Sequence, residues 1–264
     1  FGEGLSDEEF VARLVQELEE TIQREGSETI AAFIGEPVQG AGGVVVPPEG
    51  YWPAIAAVLR RYGILLILDE VITGFGRTGT LFGMQQYGIV PDIVSFAKGI
   101  TSGYVPLGGV GVSDEIADTL ASADRVFMHG FTYSGHPVAC AVALRNLEIL
   151  LVERLWENAA EAGSYLLNEL RRLEERPYVG EVRGKGLMLL VEVVRDKATK
   201  EKFPPEFKLG PKLEAATRRR GVIVRCTPDG IIMAPPLTIT REECDVLIEA
   251  VAGALSDVLD REYA

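Results

Sequence analysis

Cysteine and histidine are scarce. The 264 residues hold Cys140, Cys226 and Cys244, far apart and without a C-x-x-C pair, and only His129 and His136. That argues against a disulfide framework and a zinc site, so no metal is expected and reduced thiols in the cytoplasm are. Basic charge is short as well. Lys+Arg 26 against Asp+Glu 39 leaves a formal net charge of −13, and the runs Arg171-Arg172 and Arg218-Arg219-Arg220 are too brief to build a phosphate-binding face. Neither nucleic acid nor an anionic membrane is therefore an expected partner. No apolar run reaches membrane-spanning length, and no basic-then-apolar leader opens the chain. An initiator methionine is also lacking: Phe1-Gly2-Glu3-Gly4-Leu5 reads as the middle of a loop, and the expectation is a fragment of a longer polypeptide.

What is there suffices for a core. With 47% hydrophobic and 25% charged residues, the chain suits one large or two modest globular domains. Ser6-Asp7-Glu8-Glu9 is a capping box, and Phe10, Leu14, Leu18 and Ile22 continue it as an amphipathic helix that stops at Gly26. Thr29 to Ile34 reads as a strand apolar on both faces, as in a helix-covered parallel sheet, emptying into Glu36–Gly43. A helix over Tyr51–Tyr62 closed by Gly63, then strands over Ile64–Leu68, Asp92–Ala97 and Gly108–Val112, predict an α/β domain with a mostly parallel sheet. From Pro137 the pattern turns to long helices, Val138–Leu151 and Leu155–Glu175. Val182–Val194 reads as one bent strand, Val222–Arg225 and Ile231–Ala234 as a short pair, and Thr240–Glu243 as the capping box of a last helix. The expected division is 1–150 and 151–264, the second a smaller α+β domain.

Gly74-Phe75-Gly76-Arg77-Thr78-Gly79 has the G-x-G-x-x-G spacing of a dinucleotide loop. That fingerprint needs its first glycine at the strand end and its last inside a helix. Here Asp69–Thr73 intervenes, a carboxylate stands where phosphates would lie, and no helix of useful length follows before Pro91. A nicotinamide dehydrogenase is thereby reduced to a minor alternative.

Asp69 and Lys98 remain, each at the C-terminal tip of a buried apolar strand, where open α/β sheets place ligand crevices. A strand-end lysine is ordinarily a snorkelling or ion-paired surface residue. In Ser95-Phe96-Ala97-Lys98-Gly99, however, the amine follows an apolar strand with small neighbours, a setting in which lysine forms Schiff bases. A Schiff-base lysine facing a carboxylate for a pyridinium nitrogen is what pyridoxal phosphate asks of a protein.

The segments "LLILDEVITGFGRTG", "PDIVSFAKGITSGYVPLGGV" and "FTYSGHPVACAVAL", with "AAFIGEPVQGAGGVVVPPEGYW", "GEVRGKGLMLLVEVVRDKAT" and "APPLTIT", together resemble the class III, omega-transaminase type of pyridoxal-phosphate aminotransferase over essentially the whole chain. The resemblance implies the fold type I architecture: a mostly parallel large-domain sheet, of which 1–150 is the C-terminal part, and a small α+β domain over 151–264. It implies that Lys98 forms the Schiff base with the cofactor and that Asp69 bonds the pyridine nitrogen. Val71 matches a residue packed on the ring face, and Glu36 an acid beside the cofactor. Thr132 matches a hydroxyl that reaches the phosphate of the neighbouring subunit's cofactor, hence a homodimer with interface active sites. Arg225 matches a mobile arginine that clamps a substrate carboxylate.

Two departures stand out. Ile72 occupies a position that is Gln in several relatives, and the Gly-Ser phosphate loop and stacking aromatic of the family's N-terminal half have no counterpart in this sequence. The implied reaction is transfer of an amino group from an amine or omega-amino acid to a 2-oxo acid, with pyruvate expected, through a pyridoxal/pyridoxamine phosphate ping-pong cycle. Diamines, β-alanine, taurine and arylalkyl amines are all open as donors. The alternatives are a cofactor-free, non-catalytic fragment, which is what the isolated chain is expected to be, and a related aminomutase or racemase.

Overall fold

Ser6 sets the start of the first helix. Its hydroxyl accepts from the Glu9 amide at 3.2 Å and the Glu9 carboxylate accepts from the Ser6 amide at 2.8 Å, so α1 (Asp7–Glu25) begins there and ends at Gly26, φ +84°. Helix α2 (Tyr51–Tyr62) ends on left-handed Gly63. Both pack through Ile22, Trp52, Ile55, Val58 and Leu59 onto Leu66 and Leu68 of the central sheet. The indole Nε1 of Trp52 donates to Pro37 O at 3.0 Å, and the ring lies so close to Gly35 that a Cβ there would stand 2.7 Å from it.

In this computed structural model, which describes residue 2 and residues 4–122, 127–130 and 132–260, that sheet has four strands in the order β1 (Ala32–Gly35), β2 (Leu65–Asp69), β3 (Ile93–Phe96), β4 (Gly109–Val112). β1, β2 and β3 are parallel, and β4 runs antiparallel to β3. Thr29 belongs to a short 3₁₀ turn (Ser27–Thr29) closed on Gly26, so the first strand begins at Ala32. The expectation of two covered faces is corrected too: Leu66 and Leu68 are buried under the helices, whereas Ile34, Val110 and Val112 are exposed among the described residues. Helices α3 (Asp114–Ser122) and α4 (Pro137–Val152) follow.

The second sheet, antiparallel throughout and in the order β5-β6-β8-β7, is formed by β5 (Val179–Lys185), β6 (Met188–Val193), β7 (Arg225–Thr227) and β8 (Gly230–Met233). With α5 (Leu155–Arg171), α6 (Leu209–Arg219) and α7 (Arg241–Leu259) it encloses a core of Leu166, Leu170, Leu189, Val191, Leu213, Val251 and Leu255. The single bent strand expected over 182–194 is instead the hairpin β5–β6, reversing at Gly186 with φ +55°. Met188–Val191 are all buried, which erases the alternation that would have marked two separate strands.

The chain divides into two compact units. One spans Phe1–Pro37, Pro47–Phe75 and Thr80–Glu153; the other spans Val38–Val46, Gly76–Gly79 and Arg154–Ala264. The inner stretches join the second unit for a visible reason. Arg183 Nε donates to Gly43 O at 3.0 Å, and Arg77 Nη1 donates to Leu187 O at 3.0 Å and Pro235 O at 2.6 Å.

Gly163 on α5 crosses Gly186 so closely that an added Cβ would lie 2.2 Å from the Gly186 carbonyl oxygen. Alanine raises helix propensity by about 1 kcal/mol over glycine, but here it would meet backbone that has nowhere to move. Gly163→Ala is expected to destabilise the protein by roughly 2 kcal/mol net of that gain, and Ser164→Ala, exposed on the same helix, to be neutral. Urea unfolding of both variants checks this.

Candidate active site

Because β1, β2 and β3 are parallel, their C-terminal ends share one edge of the sheet. The register pairs Gly35 with Leu68 and Asp69 with Ser95, which sets Glu36 just past β1, Asp69 on the last position of β2, and Lys98 just past β3. Adjacent strands lie about 4.8 Å apart. The first unit thus brings Glu36, Asp69, Val71 and Lys98 to one edge.

Asp69 is half-buried, and its Oδ1 accepts the Val71 amide at 2.9 Å. Oδ2 has no partner among the described residues. Its neighbour Glu70 takes the opposite course. The Glu70 amide continues the ladder to Ser95 O at 2.8 Å, and its carboxylate is fully buried, accepting from the Gly83 amide at 2.9 Å, the Met84 amide at 2.7 Å and the Thr73 hydroxyl. This satisfies a buried charge without a cation. A Cβ at Gly74 would come within 2.7 Å of Glu70 O, so the turn after Asp69 has room for glycine only. Burial first, then the Glu70 charge, pushes the Tyr87 phenol up to about 12.

Lys98 carries a left-handed backbone, φ +42°, directly after extended Ala97. Such a conformation is uncommon for a residue with a side chain. The side chain is exposed and no ion pair holds it among the described residues, so the structural salt bridge that a strand-end lysine ordinarily makes is absent there. Behind it, Gly99 lies against Phe75, whose ring packs on Phe82 and Phe96 at centroid distances of 5.3 and 5.7 Å. Gly79 lies in a turn rather than inside a helix, as a dinucleotide loop would require.

Thr132 is exposed on the segment leading into α4, and Arg225 opens β7 in the second unit, exposed and without an ion pair among the described residues. Among the described residues no group of His, Cys, Asp and Glu could hold a metal ion, and no helix is long and apolar enough to cross a membrane. Glu70 escaped sequence reasoning; an acid in an otherwise apolar strand end was the available signal.

Comparison with known proteins settles the class: the model of the family Aminotransferase class-III matches residues 4–255, and the chain belongs to that family. An (S)-enantioselective omega-transaminase from Thermomicrobium roseum is 92% identical, with a TM-score of 0.97 over 98% of this chain and 58% of that one. An amine transaminase from an uncultivated Pseudomonas species, crystallised in its PLP-bound form, is 47% identical, with a TM-score of 0.92 over 94% of this chain and 57% of its own. A putrescine–pyruvate aminotransferase from Pseudomonas aeruginosa is 48% identical over 94% of this chain and 55% of its own length. The chain therefore spans little more than half the length of these relatives.

Two outcomes follow for the Glu70 cluster. In Glu70→Gln an amide NH₂ must face one of the backbone N–H donors, and the loss is expected to be about 2 kcal/mol in urea unfolding. The Tyr87 proton is held more tightly folded than unfolded, so its contribution is intact below the ordinary tyrosine range and is lost as pH rises through about 12. Tyr87→Phe is expected to flatten the fall in stability above pH ~10; unfolding curves at increasing alkaline pH test this.

Proposed function

We propose that this polypeptide forms the catalytic part of a pyridoxal-phosphate-dependent aminotransferase, 1–150 contributing to the cofactor-binding large domain and 151–264 forming the small domain. The reaction moves an amino group from an amine or omega-amino acid to a 2-oxo acid, pyruvate being favoured, in a ping-pong cycle. The observation that carries this reading is the pair Asp69 and Lys98 at the tips of adjacent parallel strands. An amine with no ion pair and a carboxylate with one oxygen unclaimed among the described residues suit the two ends of a pyridine ring, so the residues present fit the cofactor.

When bound, pyridoxal phosphate serves as an electron sink for the carbon that carries the amine. Lys98 would hold the cofactor through its Nζ, and the same amine, once free, would carry the proton to and from the substrate carbon. Asp69, its carboxylate oriented by the Val71 amide, would keep the ring nitrogen protonated. Val71 would pack on the ring face and Glu36 would orient the groups beside it. Arg225 clamps a substrate carboxylate through its planar guanidinium. Thr132 would reach the cofactor phosphate of a neighbouring subunit, the role that a homodimer with interface active sites requires of it. The free thiols of Cys140, Cys226 and Cys244 support a cytoplasmic location.

Borohydride treatment of the intact polypeptide loaded with pyridoxal phosphate is expected to add the reduced cofactor to Lys98, as read by peptide mass spectrometry; an unmodified Lys98 would overturn the assignment. Lys98→Ala is expected to lower turnover with amine donors and pyruvate by about a thousandfold or more, and Asp69→Asn to lower it strongly while the fold persists.

A further inference from the structure

We propose that Asn146 is a positioning residue for Lys98, an inference that rests on the reading of Lys98 as the amine that holds the cofactor. Asn146 is a half-buried amide within α4, a helix otherwise rich in alanine, valine and leucine. Its Nδ2 donates to Gly99 O at 2.9 Å and to Ile100 O at 3.0 Å, and its Oδ1 accepts from the Ser102 hydroxyl at 2.6 Å. One planar group therefore grips Gly99, Ile100 and Ser102 of the turn that begins at Lys98.

That turn is strained at both ends. Lys98 has φ +42° and Ser102 φ +49°, a left-handed conformation that a residue with a side chain keeps only where its surroundings hold it. Between them the backbone coils tightly, with Ile100 N to Ala97 O at 3.2 Å, Thr101 N to Lys98 O at 3.2 Å and Ser102 N to Gly99 O at 3.3 Å. The Gly99 and Ile100 carbonyls face the Asn146 amide, and Gly99 has no room for a Cβ, which would fall 2.9 Å from Phe75 Cβ. Freed of this grip, Lys98 would relax toward the ordinary φ of roughly −60°. Its Cα–Cβ bond would swing about the N–Cα axis and carry the amine away from the edge it shares with Asp69. Asn146 touches none of the reacting atoms; it acts through the backbone of the residue that does.

The test compares wild type with Asn146→Ala, Asn146→Asp, Ser102→Ala and Lys98→Ala in the intact polypeptide, each stripped of cofactor and then mixed with pyridoxal phosphate. The readouts are the rate at which the visible band of the protein-bound cofactor appears, the borohydride-fixed mass on Lys98, and kcat separately from KM. Asn146→Ala is expected to slow covalent capture by about tenfold or more and to lower kcat more than it changes KM. Asn146→Asp, which sets a carboxylate against two carbonyls, is expected to do no better than alanine, and Ser102→Ala to show a smaller effect of the same sign. A purely structural role would lower the melting temperature and leave the capture rate of the folded protein at the wild-type value, and that result overturns the proposal. If Asn146→Ala fails to fold, wild-type capture by Ser102→Ala overturns it equally. Covalent capture persisting in Lys98→Ala would instead sink the assignment of Lys98, a failure distinguishable from that of Asn146.

Discussion

The parallel pairing of β2 with β3 in one register is the constraint on which the rest depends. It sets Asp69 opposite Ser95 and so brings the ends of both strands to a common edge. Side chains alternate along a strand, and a slip by one residue would exchange the environments of Asp69 and Glu70. Two adjacent acids thus have opposite fates. Asp69 keeps an oxygen available, while Glu70 is consumed by backbone donors that fasten the following turn. The apolar row under α1 and α2, with Leu66 and Leu68 buried, is what makes the slip costly.

The glycines of the 74–79 stretch belong to the same economy of space. A Cβ at Gly74 would strike Glu70 O, one at Gly76 would come 3.0 Å from Leu237, and one at Gly79 would come 3.0 Å from Ala160. Gly76 and Gly79 also hold φ +99° and +95°, which side chains rarely adopt. Steric need, not phosphate binding, accounts for spacing that imitates a dinucleotide loop.

Much of this was legible in the residues. Capping boxes at Ser6 and Thr240, and glycine stops at Gly26 and Gly63, mark helices through local chemistry that the sequence displays directly. Asp69 and Lys98 were visible because a charge at the tip of an apolar run is conspicuous. The β5–β6 reversal was hidden because both faces of β6 are covered, which removes the period that identifies a strand. The departure of 38–46 and 76–79 from their neighbours was hidden because it depends on Arg183 and Arg77 meeting carbonyls far along the chain. Asn146, and the use to which the visible acid Glu70 is put, were hidden for a related reason: both work by bonding main-chain groups, and main-chain groups leave no letter in a sequence.

Stretches 38–46 and 76–79 fold with the second unit although they are encoded inside the span of the first. A genetic crossover near codon 153, exchanging the rear of one gene for a relative's, would leave those inner stretches against foreign partners where Arg183, Leu187 and Pro235 now receive them. A working hybrid of two such genes therefore needs 38–46, 76–79 and 154–264 from the same parent.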